Sequence, residues 1–335
     1  MAGTMLSAGG FLSESVMTLK WLKCRMATRR ELPRPGDSPR HQGILLFIGE
    51  AVILRTPGLS GADAAAPPDR GWERGRKRGQ EQGMKIHFSA STHDVAQQRL
   101  ARLVERYGQT DLESADCIVA LGGDGHMLHV LHETLAHERP VFGLNCGRLG
   151  FLMNHYASDE LVERIEAAET APVHPLRMTV TESDGATHTA LAINEVSLLR
   201  QTHNAAHIRV EVDGKHQVEE LVCDGILLAT PVGSTAYNLS AHGPVIPLGA
   251  GLLALTPISP FRPRRWRGAL LGAESTVRLT VLENGFRPVS ASADSTEYRQ
   301  VAEVEIAQAH DIALHLLYDP GYSLSERAIA EQFRT

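Results

Sequence analysis

Paired cysteine spacings, long apolar runs and a dinucleotide fingerprint are all missing from this sequence. Its four cysteines, Cys24, Cys117, Cys146 and Cys223, lie far apart with no Cys-x-x-Cys pair. That argues against a disulfide framework or a zinc site and suits a reducing cytoplasm. Each cysteine reads as a small buried or half-buried residue rather than a catalytic one. No window approaches the roughly 18 uncharged apolar residues of a membrane helix. The longest candidate, Ile44 to Leu54, is short and interrupted by Glu50. No basic stretch leads into a long apolar core, so a secretory signal is not expected. The strand-helix corner lacks Gly-x-Gly-x-x-Gly, which disfavours a dehydrogenase.

What is present is an ordinary apolar fraction, 43% of 335 residues, and a length with room for about two domains. Charge is spread unevenly. Residues 1–83 carry 13 Lys and Arg against 8 Asp and Glu, while residues 84–335 carry 20 against 31. The second segment is therefore acidic, which speaks against nucleic acid as a main partner.

Residues 1–83 contain Arg/Pro/Gly-rich runs such as Arg29 to Gly36 and Gly71 to Gly79 without apolar period. They are expected to form a disordered extension or to reflect a misassigned start, with the working protein beginning at Met84. From there the pattern is regular. Lys85 to Ser89 alternates as a strand, and Asp94 to Tyr107 follows as a helix with Val95, Leu100, Leu103 and Val104 on its apolar side. Asp116 to Leu121 and Pro140 to Asn145 are short buried strands, and Ser158-Asp159-Glu160-Leu161 opens a capped helix to about Ala168. Alternating strands and helices predict an α/β domain with a parallel sheet over 84–170. After Pro172 the texture changes. Asp184-Gly185, Asp213-Gly214 and Asn284-Gly285 are hairpin signals flanked by alternating segments, which predicts a β-rich second domain over 171–322. Residues 323–335 are expected to form a closing helix, Ser323 to Phe333, that returns to the first domain.

The most pointed stretch is Ala120-Leu121-Gly122-Gly123-Asp124-Gly125-His126, a buried strand running through three glycines and a carboxylate into a helix. Helix-start amides and the helix dipole favour an anion there, and glycines let backbone approach its oxygens and allow positive φ. A carboxylate beside polyphosphate repels it. It fits either as acceptor of a proton from an attacking hydroxyl or as one ligand of a divalent cation.

A second constellation lies in the β-rich half. Asn194-Glu195 interrupts an apolar strand, and a neighbouring amide and carboxylate can hold vicinal ribose hydroxyls. Further on, the run from Cys223-Asp224-Gly225 through Thr230-Pro231-Val232-Gly233 to Thr235-Ala236-Tyr237-Asn238-Leu239-Ser240 reads as a carboxylate turn, a buried strand, a bend and a helix start. Its small residues admit a flat ring against the backbone.

Gly122-Gly123-Asp124-Gly125, Asn194-Glu195 and the Asp224 to Ser240 block, in this order and at these separations, resemble NAD kinases of the bacterial type. The resemblance covers about residues 84 to 335. It implies phosphorylation by ATP of the 2′-hydroxyl of the adenosine ribose of NAD, giving NADP, with Asp124 as proton acceptor beside Gly122, Gly123 and Gly125. It further implies that Asn194 and Glu195 hold the ribose, that Phe151 packs near the dinucleotide, and that Thr235, Ala236, Tyr237, Asn238, Leu239 and Ser240 bind or line the adenine side. Asp224 would reach the nicotinamide side of a site completed by a neighbouring subunit, in a homodimer or homotetramer. Magnesium would accompany ATP, in a cytoplasmic enzyme with no nucleic-acid or membrane partner.

Competing readings are a lipid or small-polyol kinase sharing only the glycine corner, and a non-catalytic regulator that binds NAD or NADP. The first leaves the Gly233 to Tyr237 block as coincidence. The second gains little from Asp124. His126, His129 and His132 follow at i+3 steps, but on one helix that spacing fans out around the axis and is not expected to build a metal site. The run Arg262 to Arg267 is expected to be a solvated loop or a phosphate-facing rim rather than a nucleic-acid patch.

Overall fold

A computed structural model describes residues 83–137, 139–147 and 150–322, together with the backbone of two short strands, Phe47–Ile48 and Ala51–Ile53. The closing helix expected from Ser323 onward, and the expected disorder of 1–83 apart from those strands, fall outside the described residues. The two strands lie in the apolar run Ile44 to Leu54 and pair with each other.

The first part is a five-stranded sheet in the order Ile86–Ala90, Cys117–Gly122, Val141–Asn145, Leu314–Tyr318, Glu169–Val173. Its first four strands are parallel, and the last is antiparallel. Cys117–Gly122 is buried throughout, as a strand covered on both faces must be. Cys117, Val119 and Leu121 join one apolar cluster with Phe88, Leu103 and Ile165. Ile118 and Ala120 join the other, with Met127, Val130 and Leu131. Helices α1 (Asp94–Tyr107) and α3 (Leu161–Ala167) supply residues to the first cluster, and α2 (Asp124–Thr134) to the second. Leu314–Tyr318 belongs to the stretch read as second domain, yet it inserts between two strands of the first sheet.

Three local expectations need correcting. On α1, Val95 is 48% exposed and Ala96 takes the buried position. The start of α3 carries no side-chain cap: Glu160 is left-handed at φ 54°, and Asp159 is engaged by Arg106. Instead the Tyr107 hydroxyl accepts the Leu161 N–H at 3.3 Å and donates to the Ser158 carbonyl at 3.0 Å. A cap borrowed from another helix is invisible to a local pattern. Asp184-Gly185 and Asp213-Gly214 do join paired strands, the latter with both residues at positive φ. Asn284-Gly285 does not, because Val277–Leu282 and Val289–Ala293 lie in different sheets.

The second part is two sheets face to face. One has six antiparallel strands, the other eight, with the short Ala51–Ile53 parallel to Ala269–Gly272 at one margin. Their inner faces share one core that includes Met178, Ile208 and Val304 from the first sheet and Leu198, Ile226 and Leu228 from the second. Gly225–Ala229 is central to the eight-stranded sheet and alternates cleanly. Ile226 and Leu228 enter the shared core, while Leu227 and Ala229 pack on the opposite face with Ile246 and Tyr237. That alternation sets the Thr230–Ser240 block against the outer face of the sheet.

Candidate active site

The glycine corner forms as its pattern demands, with the strand ending at Gly122, Gly123 as N-cap, and Asp124 opening α2. None of the three glycines has positive φ. Gly123 is extended at φ −121°, so the conformational reason for these glycines is replaced by a spatial one. A Cβ on Gly122 would come within 2.7 Å of the His126 Cβ, whereas beside Gly123 and Gly125 there is open space. The N–H groups of Asp124 and Gly125 have no hydrogen-bond partner among the described residues. Backbone donors, a helix start and open space are together what an anion needs.

The half-buried Asp124 is held by a neighbouring turn. Its Oδ2 accepts the Phe151 N–H at 2.7 Å, and its Oδ1 accepts the Leu152 N–H at 2.8 Å. Phe151 therefore meets the carboxylate through its backbone N–H. Each carboxylate oxygen has a second lone pair free for a hydroxyl.

Asn194 and Glu195 lie at the entrance to strand Glu195–Arg200. The Glu195 carboxyl is pushed up to about 7, first by burial and then by the nearby charge of Asp294, partly offset by the N–H of Tyr237. Its Oε2 is buried without a partner among the described residues. Burial, then the charges of Glu195 and Asp224, also raise the Tyr237 hydroxyl. Glu195, Tyr237 and Asp224 thus share one electrostatic neighbourhood. Asp224 itself pairs with Arg200 at 2.6 Å.

The bend is locked onto this turn. Thr230 Oγ1 donates to the Ile193 carbonyl at 2.7 Å and accepts the Gly233 N–H at 3.1 Å. Gly233 passes so close that a Cβ would sit 2.1 Å from the Asn194 carbonyl oxygen, which fixes glycine there. Thr235, Ala236, Tyr237 and Leu239 are half-buried and Ser240 is exposed. Asn238 differs from the expectation. It is fully buried, its amide donates to the carbonyls of Ser234 (3.1 Å) and Pro244 (2.9 Å), and its oxygen accepts from Thr256 at 2.6 Å. With those groups consumed inside, it ties the Ser234 turn to Pro244 and Thr256.

Asp294 is the residue that sequence reasoning left out of the site. It follows strand Val289–Ala293 at φ 47°, and its side chain is 1% exposed. Its carboxylate accepts the N–H groups of Ile193, Asn194 and Glu195 at 2.6, 3.0 and 3.3 Å, and also bonds His132 Nε2 at 2.7 Å. Its partners lie between 99 and 162 residues upstream, so no local pattern joins them to it.

The three histidines fan out to Ser89, Glu133 and Asp294 respectively. Among the described residues no group of three or more His, Cys, Asp or Glu can hold a metal. The Cys223 thiol is pushed by burial up to about 12, which makes it inert. Arg262, Arg264 and Arg265 are exposed, and the first two stack over Phe261. A cavity of about 300 Å³ involves Thr230, Pro231 and Val232 with His174 and His310, but none of Asp124, Asn194 or Glu195. It touches the site assembled above only through that bend. No helix of the described residues is long and apolar enough to cross a membrane.

Comparison with known proteins gives a consistent picture. Family models for the ATP-NAD kinase N-terminal domain and the ATP-NAD kinase C-terminal domain match residues 75–170 and 193–310. An NAD kinase of Hyphomonas neptunium is 55% identical over 250 residues, covering 75% of this chain and 98% of the relative. One from Caulobacter vibrioides is 55% identical over 249 residues, covering 74% and 96%. The fold is shared with yeast NADH kinase complexed with NADH (TM-score 0.66, 19% identity, 75% and 88% covered). It is also shared with an Archaeoglobus fulgidus NAD kinase in complex with ATP (TM-score 0.61, 24% identity, 74% and 98% covered).

Proposed function

The chain belongs to the ATP-NAD kinase family, and from that premise we propose that it transfers the γ-phosphoryl group of ATP to the 2′-hydroxyl of the adenosine ribose of NAD. ADP and NADP are the products. The observation that carries the placement of the residues is the convergence of three separated blocks on α2. That helix starts at Asp124, its apolar side clusters with Ile193 and Val232, and its His132 bonds the carboxylate that holds residues 193–195.

In this reading Asp124 is the base. As the ribose oxygen bonds to the γ-phosphorus and the bridge to the β-phosphate breaks, the hydroxyl proton passes to a free lone pair of Asp124. The backbone turn at Phe151 and Leu152 keeps the carboxylate aimed. Gly122, Gly123 and Gly125 let phosphate approach the open amides of the helix start. Asn194 and Glu195 receive the ribose, and the orphan Oε2 of Glu195 supports this because a hydroxyl donor satisfies it. Thr235, Ala236, Tyr237, Leu239 and Ser240 line the adenine side, with Asn238 behind them. Asp224 reaches the nicotinamide side, where a second copy of the chain, in a homodimer or homotetramer, completes the pocket. We place the enzyme in the cytoplasm, in keeping with cysteines spaced too far apart for a disulfide framework.

A divalent cation, magnesium, fits as the companion of ATP. The donor set agrees, since such a cation beside a nucleotide is held largely by phosphate oxygens and water, and the glycine corner leaves open space at Gly123 and Gly125 for both. When bound it supplies neutralisation of phosphate charge.

The test is NADP formation by the full chain with ATP, magnesium and NAD, beside residues 84–335 and Asp124→Asn. Turnover by both wild-type forms and its loss in the variant is the expected result. Binding of NAD without turnover favours a regulator. Absence of NAD binding favours a lipid or polyol kinase.

A further inference from the structure

α2 carries two functional groups at different heights. Asp124 is at its first position and His132 lies roughly two turns, about 12 Å, along the axis. His132 is 28% exposed and its Nε2 sits 2.7 Å from Oδ2 of the buried Asp294. That carboxylate already accepts three backbone N–H groups from Ile193, Asn194 and Glu195. A carboxylate in such a ring of donors only accepts, so the shared hydrogen belongs to His132 Nε2. In return, the Asp294 N–H donates to the Glu195 carbonyl at 3.2 Å. Asp294 therefore fixes the Asn194–Glu195 turn, and His132 fixes Asp294 to the helix that begins with Asp124.

The apolar contact between α2 and Ile193 brings the turn close but carries no direction of its own, because apolar packing is non-directional. Among the described residues the imidazole hydrogen bond is the directional link from α2 to this turn's carboxylate. We propose that His132 is a positioning residue for phosphoryl transfer, setting the ribose-holding turn relative to Asp124 through Asp294. This rests on the function proposed above. It adds a residue that touches neither nucleotide, and it assigns the i+3 histidine spacing a purpose at one of its three members.

The consequence concerns one substrate more than the other. A turn that shifts displaces the NAD ribose from the base, while the glycine corner that receives ATP phosphate is part of α2 itself and stays in place. Misplacement of reacting groups by about 1 Å can cost about 10²-fold. We therefore expect His132→Leu to raise KM for NAD and lower kcat, reducing kcat/KM for NAD by roughly 10- to 100-fold while KM for ATP stays near wild type. His132→Gln, whose amide presents an N–H donor near the Nε2 position, should recover most of the loss.

The experiment is steady-state kinetics of the full chain and both variants, varying NAD and ATP separately, with thermal unfolding in parallel. Wild-type turnover is measured first, and its absence would refute the functional reading and with it this inference. Given wild-type turnover, a selective rise in KM for NAD with rescue by glutamine bears the proposal out. A fall in kcat alone, with both KM values unchanged and matched by loss of folded protein, overturns it. So does full activity of His132→Leu.

Discussion

The glycine corner and the Asn194–Glu195 turn each present a carboxylate, and they treat it in opposite ways. Asp124 is half-buried, with each oxygen engaged by one backbone N–H and open space beside the adjoining glycines. Glu195 is half-buried as well, but one of its oxygens is buried with no described partner, and burial pushes its carboxyl up to about 7. The backbone cradle at Phe151 and Leu152 keeps the Asp124 carboxylate aimed. A carboxyl kept short of hydrogen bonds is primed to take them from a ligand. In the function proposed above, the two regions divide the work between chemistry and recognition.

The largest effect that would break this contrast is at Asp124. Asp124→Asn should lower kcat by about 10²–10⁴, the usual range for a general base. The structure adds a cost, because the new amide NH2 must face either the Phe151 or the Leu152 N–H. Leaving one such donor unpaired costs about 1–3 kcal/mol, readable by denaturant unfolding. Near-normal turnover in NADP assays would mean that the cradle is purely structural.

Gly233→Ala comes next. The added Cβ would meet the Asn194 carbonyl, so the turn and the bend must separate. Overpacking of this kind costs about 1–3 kcal/mol, and here it should also weaken NAD binding measured by calorimetry. Unchanged affinity would show that the bend does not shape the recognition site.

The smallest effect sharpens the comparison by pH. Burial raises the Glu195 carboxyl from an ordinary value of 4.5 to about 7. The unfolded chain releases that proton earlier, so between those values the folded state holds more protons. Glu195 accordingly contributes stability that is complete below pH 4.5 and is lost as pH rises through about 7. Glu195→Gln should flatten this part of the pH-stability curve. Because the ionised form accepts from ribose hydroxyls, NAD affinity of the wild type should rise through the same pH range and that of the variant should not. A pH-independent wild-type affinity would sink the assignment of Glu195 to the ribose.

Much of this was legible in order along the chain. Helix Asp94–Tyr107, the doubly covered strand ending at Gly122 and two of the three hairpin turns follow from periodicity and turn chemistry, which are local. Errors arose where a distant group supplied what a local one was expected to supply. Tyr107 caps α3 in place of Ser158 or Asp159, and Leu314–Tyr318 crosses back into the first sheet. Asn238 has the residue type of a ligand contact, yet every polar group of its side chain is used inside.

Residue types and spacings alone made the family, the strand-corner-helix unit around Asp124 and its companion blocks readable. How those blocks meet depends on the packing of distant elements. Asp294 reaches back to Ile193, Asn194 and Glu195, and His132 ties that assembly to α2. A buried carboxylate must collect donors wherever the fold brings them, and no pattern along the chain specifies which ones arrive.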